Sequence, residues 1–297
     1  MIALAKLRRW TKYQTAATGS AKTTHKTIRN ALEEGELRGA AEGLEFATKL
    51  QGSYRNSTMV RGSGDVDILV IRTDTYHADF SRVPEHSRDF APPINPVQAF
   101  EDHAEAVYRT LQYQYGAPNV SWGEKAIDID SDSLPRGADV VPCLQHRKFW
   151  DNHPGNYMRG IAFWADDGTK VVNFPERHRF QGARYQEWTN GNYKPTIRLF
   201  KNLRNQLVAN DQLEKEQAPS YFIECLLSNV PVSILRNDDL RERVESTVEY
   251  LESQTDEELE AFTTQHGLRD LFGANSTQWN LEDYNEFLDA VEAELLE

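Results

Sequence analysis

Up to Pro175 the apolar positions alternate between strand-like runs and helical faces, and beyond it they recur only at helical spacing. The run 65–72, Asp-Val-Asp-Ile-Leu-Val-Ile-Arg, is apolar and β-branched and predicts a strand with aspartates at its first and third positions. Further strand-like stretches fall at 120–122, 126–130 and 138–144, and two more, 160–165 and 170–172, flank the hairpin turn Asp166-Asp167-Gly168. Residues 44–50 read as a short strand or helix, and 82–96, with its Pro92-Pro93 pair, as an exposed loop. Helical faces come at 98–115, where Phe100, Ala104, Val107 and Leu111 align, and over residues 1–34. There Ile2, Leu4, Leu7 and Trp10 lead, and Ser20, Thr23 or Thr24 can cap a second stretch ending near Gly35.

The remaining helices are expected at 193–208, 220–229, 234–251, 256–263 and 281–296. A mixed strand-helix half followed by an all-helical half is an α+β arrangement, divided into residues 1–175 and 176–297. With 297 residues, 39% hydrophobic and 10% aromatic, the chain can build one large or two ordinary domains with sizeable cores, and its aromatic content argues against disorder. Its longest apolar stretches, such as 68–71, fall far short of the roughly 20 residues that span a bilayer. The N-terminus has no secretory apolar region, and Cys143 and Cys225 lack metal-knot spacing, so a reducing cytoplasm is the expected compartment. Neither a disulfide framework nor a membrane partner is expected.

A net charge of -13 argues against non-specific coating of nucleic acid, but the charge is unevenly placed. Residues 1–32 carry seven Lys/Arg and no acid, whereas 248–297 carry fourteen acids and only Arg269. The basic stretch can meet phosphates or the acidic tail, which leaves nucleic-acid binding open.

The chemistry concentrates in 52–70, from Gly52-Ser53 to Asp65-Val66-Asp67-Ile68-Leu69-Val70. Two residues apart on a strand, Asp65 and Asp67 project from one face, roughly 6.5 to 7 Å apart along the chain. Carboxylates that close repel unless a cation lies between them, and hard oxygen ligands suit Mg²⁺ or Mn²⁺. A Gly-Ser turn lets backbone N–H groups and a hydroxyl approach a phosphate. A third carboxylate would allow two ions. Asp139, entering another apolar strand, is the candidate, while Asp128 and Asp130, alternating with Ile127 and Ile129, fit a solvated strand face equally well and rank second.

Taken together, Gly52-Ser53, the Asp65-Val66-Asp67 strand and Asp139 resemble the nucleotidyltransferase superfamily typified by DNA polymerase β. Within it the likeness is to the bacterial cyclic-oligonucleotide synthases, the CD-NTases, relatives of animal cGAS and the oligoadenylate synthases. That pattern has a Gly-Ser turn, a Thr near Thr58, an Asp-x-Asp strand and a later Asp. The likeness extends through Gly160-Ile161-Ala162-Phe163-Trp164, 193–204 and 219–226, so it covers most of 44–232.

The resemblance implies a polymerase β-like lobe with a mixed sheet, a helical lobe that closes over nucleotide, and N-terminal helices as a brace. It implies that Asp65, Asp67 and Asp139 hold two Mg²⁺ (or Mn²⁺) ions, and that Gly52, Ser53, Lys201, Ser220 and Tyr221 bind nucleotide. Lys201 would reach the triphosphate, Ser220 a terminal phosphate, and Tyr221 would stack on a base. For Ser220 the residues agree, since it follows Pro219 at an expected helix start, where free N–H groups favour anions. For Lys201 a solvated basic face with Lys194, Arg198 and Arg204 is an even alternative, and Tyr221 reads almost as well as core.

The implied reaction joins NTPs (ATP, GTP or pyrimidine NTPs) into a cyclic di- or trinucleotide that signals phage infection to a separate effector protein, the enzyme being a monomer. An enzyme that extends an RNA end, or modifies a protein or small molecule, would use the same three carboxylates. A catalytically dead nucleotide-binding module is disfavoured because all three aspartates are present.

Overall fold

The computed structural model describes residues 2–37, 44–60, 64–84, 92, 94–275 and 277–296. The chain forms two compact units, Thr15–Tyr54 with Gly64–Glu176, and Met1–Gln14 with Arg55–Ser63 and Arg177–Glu297. Against an expected division into 1–175 and 176–297, the boundary falls after Glu176, and residues 2–14 and 55–60 belong with the helices.

The first unit is built on a mixed sheet. Its strands are β1 (Phe46–Leu50), β2 (Val66–Asp79), β3 (Val120–Trp122), β4 (Ile127–Ile129), β5 (Ala138–Phe149), β6 (Tyr157–Trp164) and β7 (Lys170–Asn173). The order is β1-β2-β5-β4-β3, with β6 paired to the far part of β5 and β7 to β6. Among the described strands of this sheet, only β2 and β5 pair in parallel; the other pairs are antiparallel. A parallel pair needs a long crossover. It is supplied by the helix Pro96–Tyr115 together with β3 and β4.

That helix starts where Asn95 accepts a hydrogen bond from the Val97 amide, with Pro96 in the first turn, and it ends at Gly116, whose φ is +86°. It buries Ala99, Phe100 and Ala104 against Leu69, Ile71, Cys143 and Leu144 of the sheet. Phe100 and the leucine and isoleucine side chains each contribute about 1.5–3 kcal/mol when fully removed from water, so this layer holds the helix against β2 and β5. His103, fully buried, donates from Nε2 to the Val70 carbonyl at 2.9 Å. Both β2 and β5 run several residues longer than their apolar blocks, because beyond Arg72 and Leu144 they continue as a paired ribbon past a register shift between Arg72 and Tyr76.

Among the described residues, seven helices follow α1 (Leu4–Trp10), α2 (Thr15–Glu34), α3 (Gly52–Asn56) and α4, the Pro96–Tyr115 helix. They are α5 (Pro175–Trp188), α6 (Tyr193–Ala209), α7 (Ser220–Leu227), α8 (Val232–Leu235), α9 (Leu240–Glu252), α10 (Asp256–Glu260) and α11 (Leu281–Leu296). The second unit's core joins Leu7 and Trp10 to Ile197, Phe200 and Leu203 of α6, Phe222 and Leu226 of α7, Val244 and Val248 of α9, and Phe287 and Val291 of α11. Thus α1 packs with the helical unit, while α2 packs on α4, β1 and β2 of the sheet unit.

The structure differs from two of the expected helices and adds a further one. Helix α5 has too few apolar residues to announce itself, yet it buries His178 and Gly182. The stretch 234–251 is two helices: Asp239 caps α9 by accepting from the Glu242 amide at 3.0 Å, which ends α8 upstream. And 256–263 is helical only to Glu260, after a capping box between Thr255 and Glu258. Most of the expected loop 82–96 lies outside the described residues. Cys143 and Cys225 are both free and buried, and burial pushes the Cys225 thiol up to about 12. Among the described residues no helix is long and apolar enough to cross a membrane.

Candidate active site

The parallel register sets Asp67 of β2 beside Asp139 of β5, and the antiparallel register on the other side sets Asp128 of β4 beside Asp139. Residues in register on adjacent strands project from the same face about 4.8 Å apart, so Asp67, Asp139 and Asp128 form one row across three strands. Asp65 stands two residues before Asp67, just ahead of the ladder. The three expected carboxylates are therefore brought together, and Asp128 joins them. Asp130 does not: it lies past the end of β4, its amide bonded to the Asn119 carbonyl.

Two glycines make room for this cluster. At Gly52 the backbone φ is +65°, and a Cβ there would stand 1.9 Å from Asp67 Oδ2. Neither the turn nor the contact tolerates a side chain. The Gln51 amide donates to the Asp67 carbonyl at 2.9 Å, so the end of β1 and the start of α3, with Ser53, are held against the Asp-x-Asp strand. At Gly137 a Cβ would stand 2.3 Å from Asp65 Oδ1, so the Asp65 carboxylate lies over the entry to β5.

Burial first, then the charges of Asp67, Asp65 and Asp128 and a hydrogen bond with Asp128, push the Asp139 carboxyl up to about 7. Among the described residues no three or more His, Cys, Asp and Glu side chains form a ready-made ion cage. The oxygen-only row nevertheless fits Mg²⁺ or Mn²⁺, which take part of their shell from water and phosphate.

The sign of the pH effect follows. A folded-state value near 7 lies above the unfolded 3.8, so this group's stabilisation is complete at low pH and is lost as pH rises through about 7. Without divalent cations the melting temperature is expected to fall between pH 5 and 8, more steeply than in Asp139→Asn, and Mg²⁺ should restore it at pH 8. Equal slopes in the two proteins would refute this.

In the helical unit a second buried cluster centres on Glu224 of α7. Its Oε1 accepts from Lys201 Nζ and from Thr58 Oγ1, both at 2.5 Å, and its Oε2 accepts from His178 Nε2 at 2.8 Å and Asn56 Nδ2 at 3.2 Å. Four donors saturate this carboxylate. Burial opposes its charge, but Lys201 and then His178 hold its pKa well below the ordinary carboxylate value. Because Glu224 is ionised and can only accept, His178 donates to it from Nε2.

The expected nucleotide-binding residues of this unit are placed as follows. The Lys201 side chain is only 1% exposed, and its ammonium is engaged by Glu224 and Thr58. Ser220 is the first residue of α7, not its cap; that position is held by Pro219, and Ser220 Oγ is exposed and accepts from Arg204 Nη2 at 3.4 Å. Tyr221 is half-buried, its ring stacked on His178 at 5.1 Å and tilted against Trp279 at 5.9 Å. The sequence reading missed Glu224, Asn56, His178 and Arg179. Arg179 and Lys194 line a small recess with Asn56, Thr58 and Gln265, and burial lowers the Lys194 pKa.

A mixed sheet presenting aligned carboxylates beside a glycine-opened turn fits a nucleotidyltransferase. Residues 181–295 match the model of the cGAS/DncV-like nucleotidyltransferase C-terminal helical domain. Over 290 residues the chain is 34% identical to the cyclic nucleotide synthase CdnE01 of Staphylococcus haemolyticus, covering 95% of both proteins. Over 286 residues it is 36% identical to the cyclic UMP-AMP synthase of Rhodothermus marinus, covering 95% of this chain and 93% of that one. The solved structure of Rhodothermus marinus CdnE c-UMP-AMP synthase with Apcpp and Upnpp matches with a TM-score of 0.84 at 32% identity, over 100% of this chain and 97% of the other. The chain belongs to the CD-NTase family.

Proposed function

We propose that this enzyme joins two or three NTPs into a cyclic oligonucleotide, and that the product serves as an antiphage signal to a separate effector protein in the cytoplasm. The observation that carries the reading is the row of Asp67 and Asp139, with Asp65, in a chain 36% identical to a cyclic UMP-AMP synthase. Asp65, Asp67 and Asp139 would hold two Mg²⁺ or Mn²⁺ ions. When bound, these ions supply charge neutralisation at the α-phosphate and at the leaving pyrophosphate.

Asp139 orients a ribose hydroxyl and takes its proton as the hydroxyl oxygen bonds to the α-phosphorus and the bond to pyrophosphate breaks. Gly52 and Ser53 approach the phosphates through backbone N–H groups and the Ser53 hydroxyl. After one joining step, or two for a trinucleotide, the free ribose hydroxyl of the linear intermediate attacks the α-phosphorus of its own terminal triphosphate, and the bond to pyrophosphate breaks as the ring closes. In the helical unit, Ser220 would meet a phosphate through the hydroxyl that accepts from Arg204, and Tyr221, whose ring stacks on His178, would stack on a base. Lys201 would reach a triphosphate by exchanging Glu224 for it, whereas Lys194 and Arg179 already face a recess.

The test is incubation with labelled ATP, GTP, CTP and UTP and Mg²⁺ or Mn²⁺, then phosphatase and mass spectrometry. A phosphatase-resistant product that identifies its bases is expected. Label found only on added RNA, or only in phosphatase-sensitive linear products, would overturn the cyclase reading.

A further inference from the structure

Asp65 stands outside the β2 ladder and is exposed, so something else must fix a carboxylate that has to meet Asp67 and Asp139 at one ion. The two peptide groups flanking it are tied to one dipeptide. The Gly64 carbonyl accepts from Arg136 Nη1 at 3.2 Å, and the Val66 amide donates to the Gly137 carbonyl at 3.0 Å. The same guanidinium donates from Nε to Ser20 Oγ of α2 at 3.1 Å and lies 6.0 Å from the centre of the Tyr54 ring on α3. The Arg136 carbonyl in turn accepts from Thr24 Oγ1 of α2 at 3.5 Å. Asp139 follows three residues later on the same chain.

We propose that Arg136 is a positioning residue for the metal-binding carboxylates, clamping the backbone at Asp65 to helix α2 and to the loop that enters β5. The inference rests on the reading of Asp65, Asp67 and Asp139 as metal ligands. An arginine is required because its planar fork sends two N–H groups to two acceptors at once, Ser20 and Gly64. A lysine can satisfy one of the two acceptors but not both at that geometry. The position had no signature in the sequence, because its partners lie 116 and 72 residues away.

The test measures Mn²⁺ binding to the full-length protein without nucleotide, by the electron paramagnetic resonance signal of free Mn²⁺, and steady-state nucleotide joining. Arg136→Met should weaken Mn²⁺ binding about 10- to 100-fold, as loss of a ligand-orienting partner does. Its kcat should fall about 100-fold, with KM for NTPs moved less than about threefold. Arg136→Lys should regain part of both losses, and Ser20→Ala, which keeps the Gly64 bond, should show a smaller loss. Mn²⁺ affinity in Arg136→Met within threefold of the unaltered protein would overturn the proposal. So would an unchanged affinity with fewer sites, since that reports unfolded protein. Absence of Mn²⁺ binding in the unaltered protein would overturn the metal reading and the proposal together, which separates the two failures.

Discussion

Asp67→Asn is expected to lower kcat for nucleotide joining by about 10³-fold or more, because a carboxylate that neutralises developing phosphate charge is worth several kcal/mol in the transition state. The fold should be untouched. Asn is isosteric, and the position is partly exposed at a row where charge, not packing, is the difficulty. After burial, Asp67 is the largest contributor to the raised pKa of Asp139. Removing its charge should bring the Asp139 carboxyl down and make the metal-free protein more stable at pH 8 than the unaltered one. Lost turnover with an unchanged or higher melting temperature is therefore the expected pair of results. A lower melting temperature would assign Asp67 to the fold and sink its role as a metal ligand, and retained turnover would sink the site.

The carboxylate site was legible in the sequence because most of it is local. Gly52-Ser53 and Asp65-Val66-Asp67 lie within sixteen residues, and alternation on a strand settles which side chains share a face. Asp139 was legible as a candidate from its apolar strand alone. What separates it from Asp130 is register, and pairing of β4 with β5 also brings in Asp128, which alternation could not distinguish from a solvated face. Register is a property of two strands and a turn, so no single run of residues carries it.

The helical unit was less legible for the same reason. Its periodic helices α6 and α11 were plain, whereas α5 is too polar to show an apolar stripe, and the break before α9 needed the Asp239 cap to be recognised. Lys201 read as one of four cations on a helix face. Its partner Glu224 sits 23 residues away on the next long helix, and helical spacing within α6 says nothing of what faces it.

That buried pair gives the second large expected effect. Lys201→Met should destabilise the protein by about 3–5 kcal/mol, the usual cost of leaving one partner of a buried ion pair uncompensated. In a unit of this size that is a fall of about 10 °C in melting temperature. Glu224→Gln should cost at least as much, since it strands the Lys201 ammonium and turns an amide N–H toward donors that need an acceptor. A double change to Met at both positions should not recover the loss, because Thr58, Asn56 and His178 would then lose their acceptor as well.

The acid limb carries the same information. Glu224 is held below its unfolded value of 4.5, so its stabilisation is present above that pH and is lost as pH falls toward the folded-state value. Urea unfolding at pH 7 and pH 4 measures both effects. If Lys201→Met instead unfolds within 1 kcal/mol of the unaltered protein while KM for NTPs rises more than about tenfold, the ammonium is not engaged by Glu224 in solution. It would then be available to a triphosphate, as the family resemblance implies. A large loss of stability with KM unchanged assigns Lys201 to the architecture of the helical unit and leaves phosphate binding to Ser220, Lys194 and Arg179.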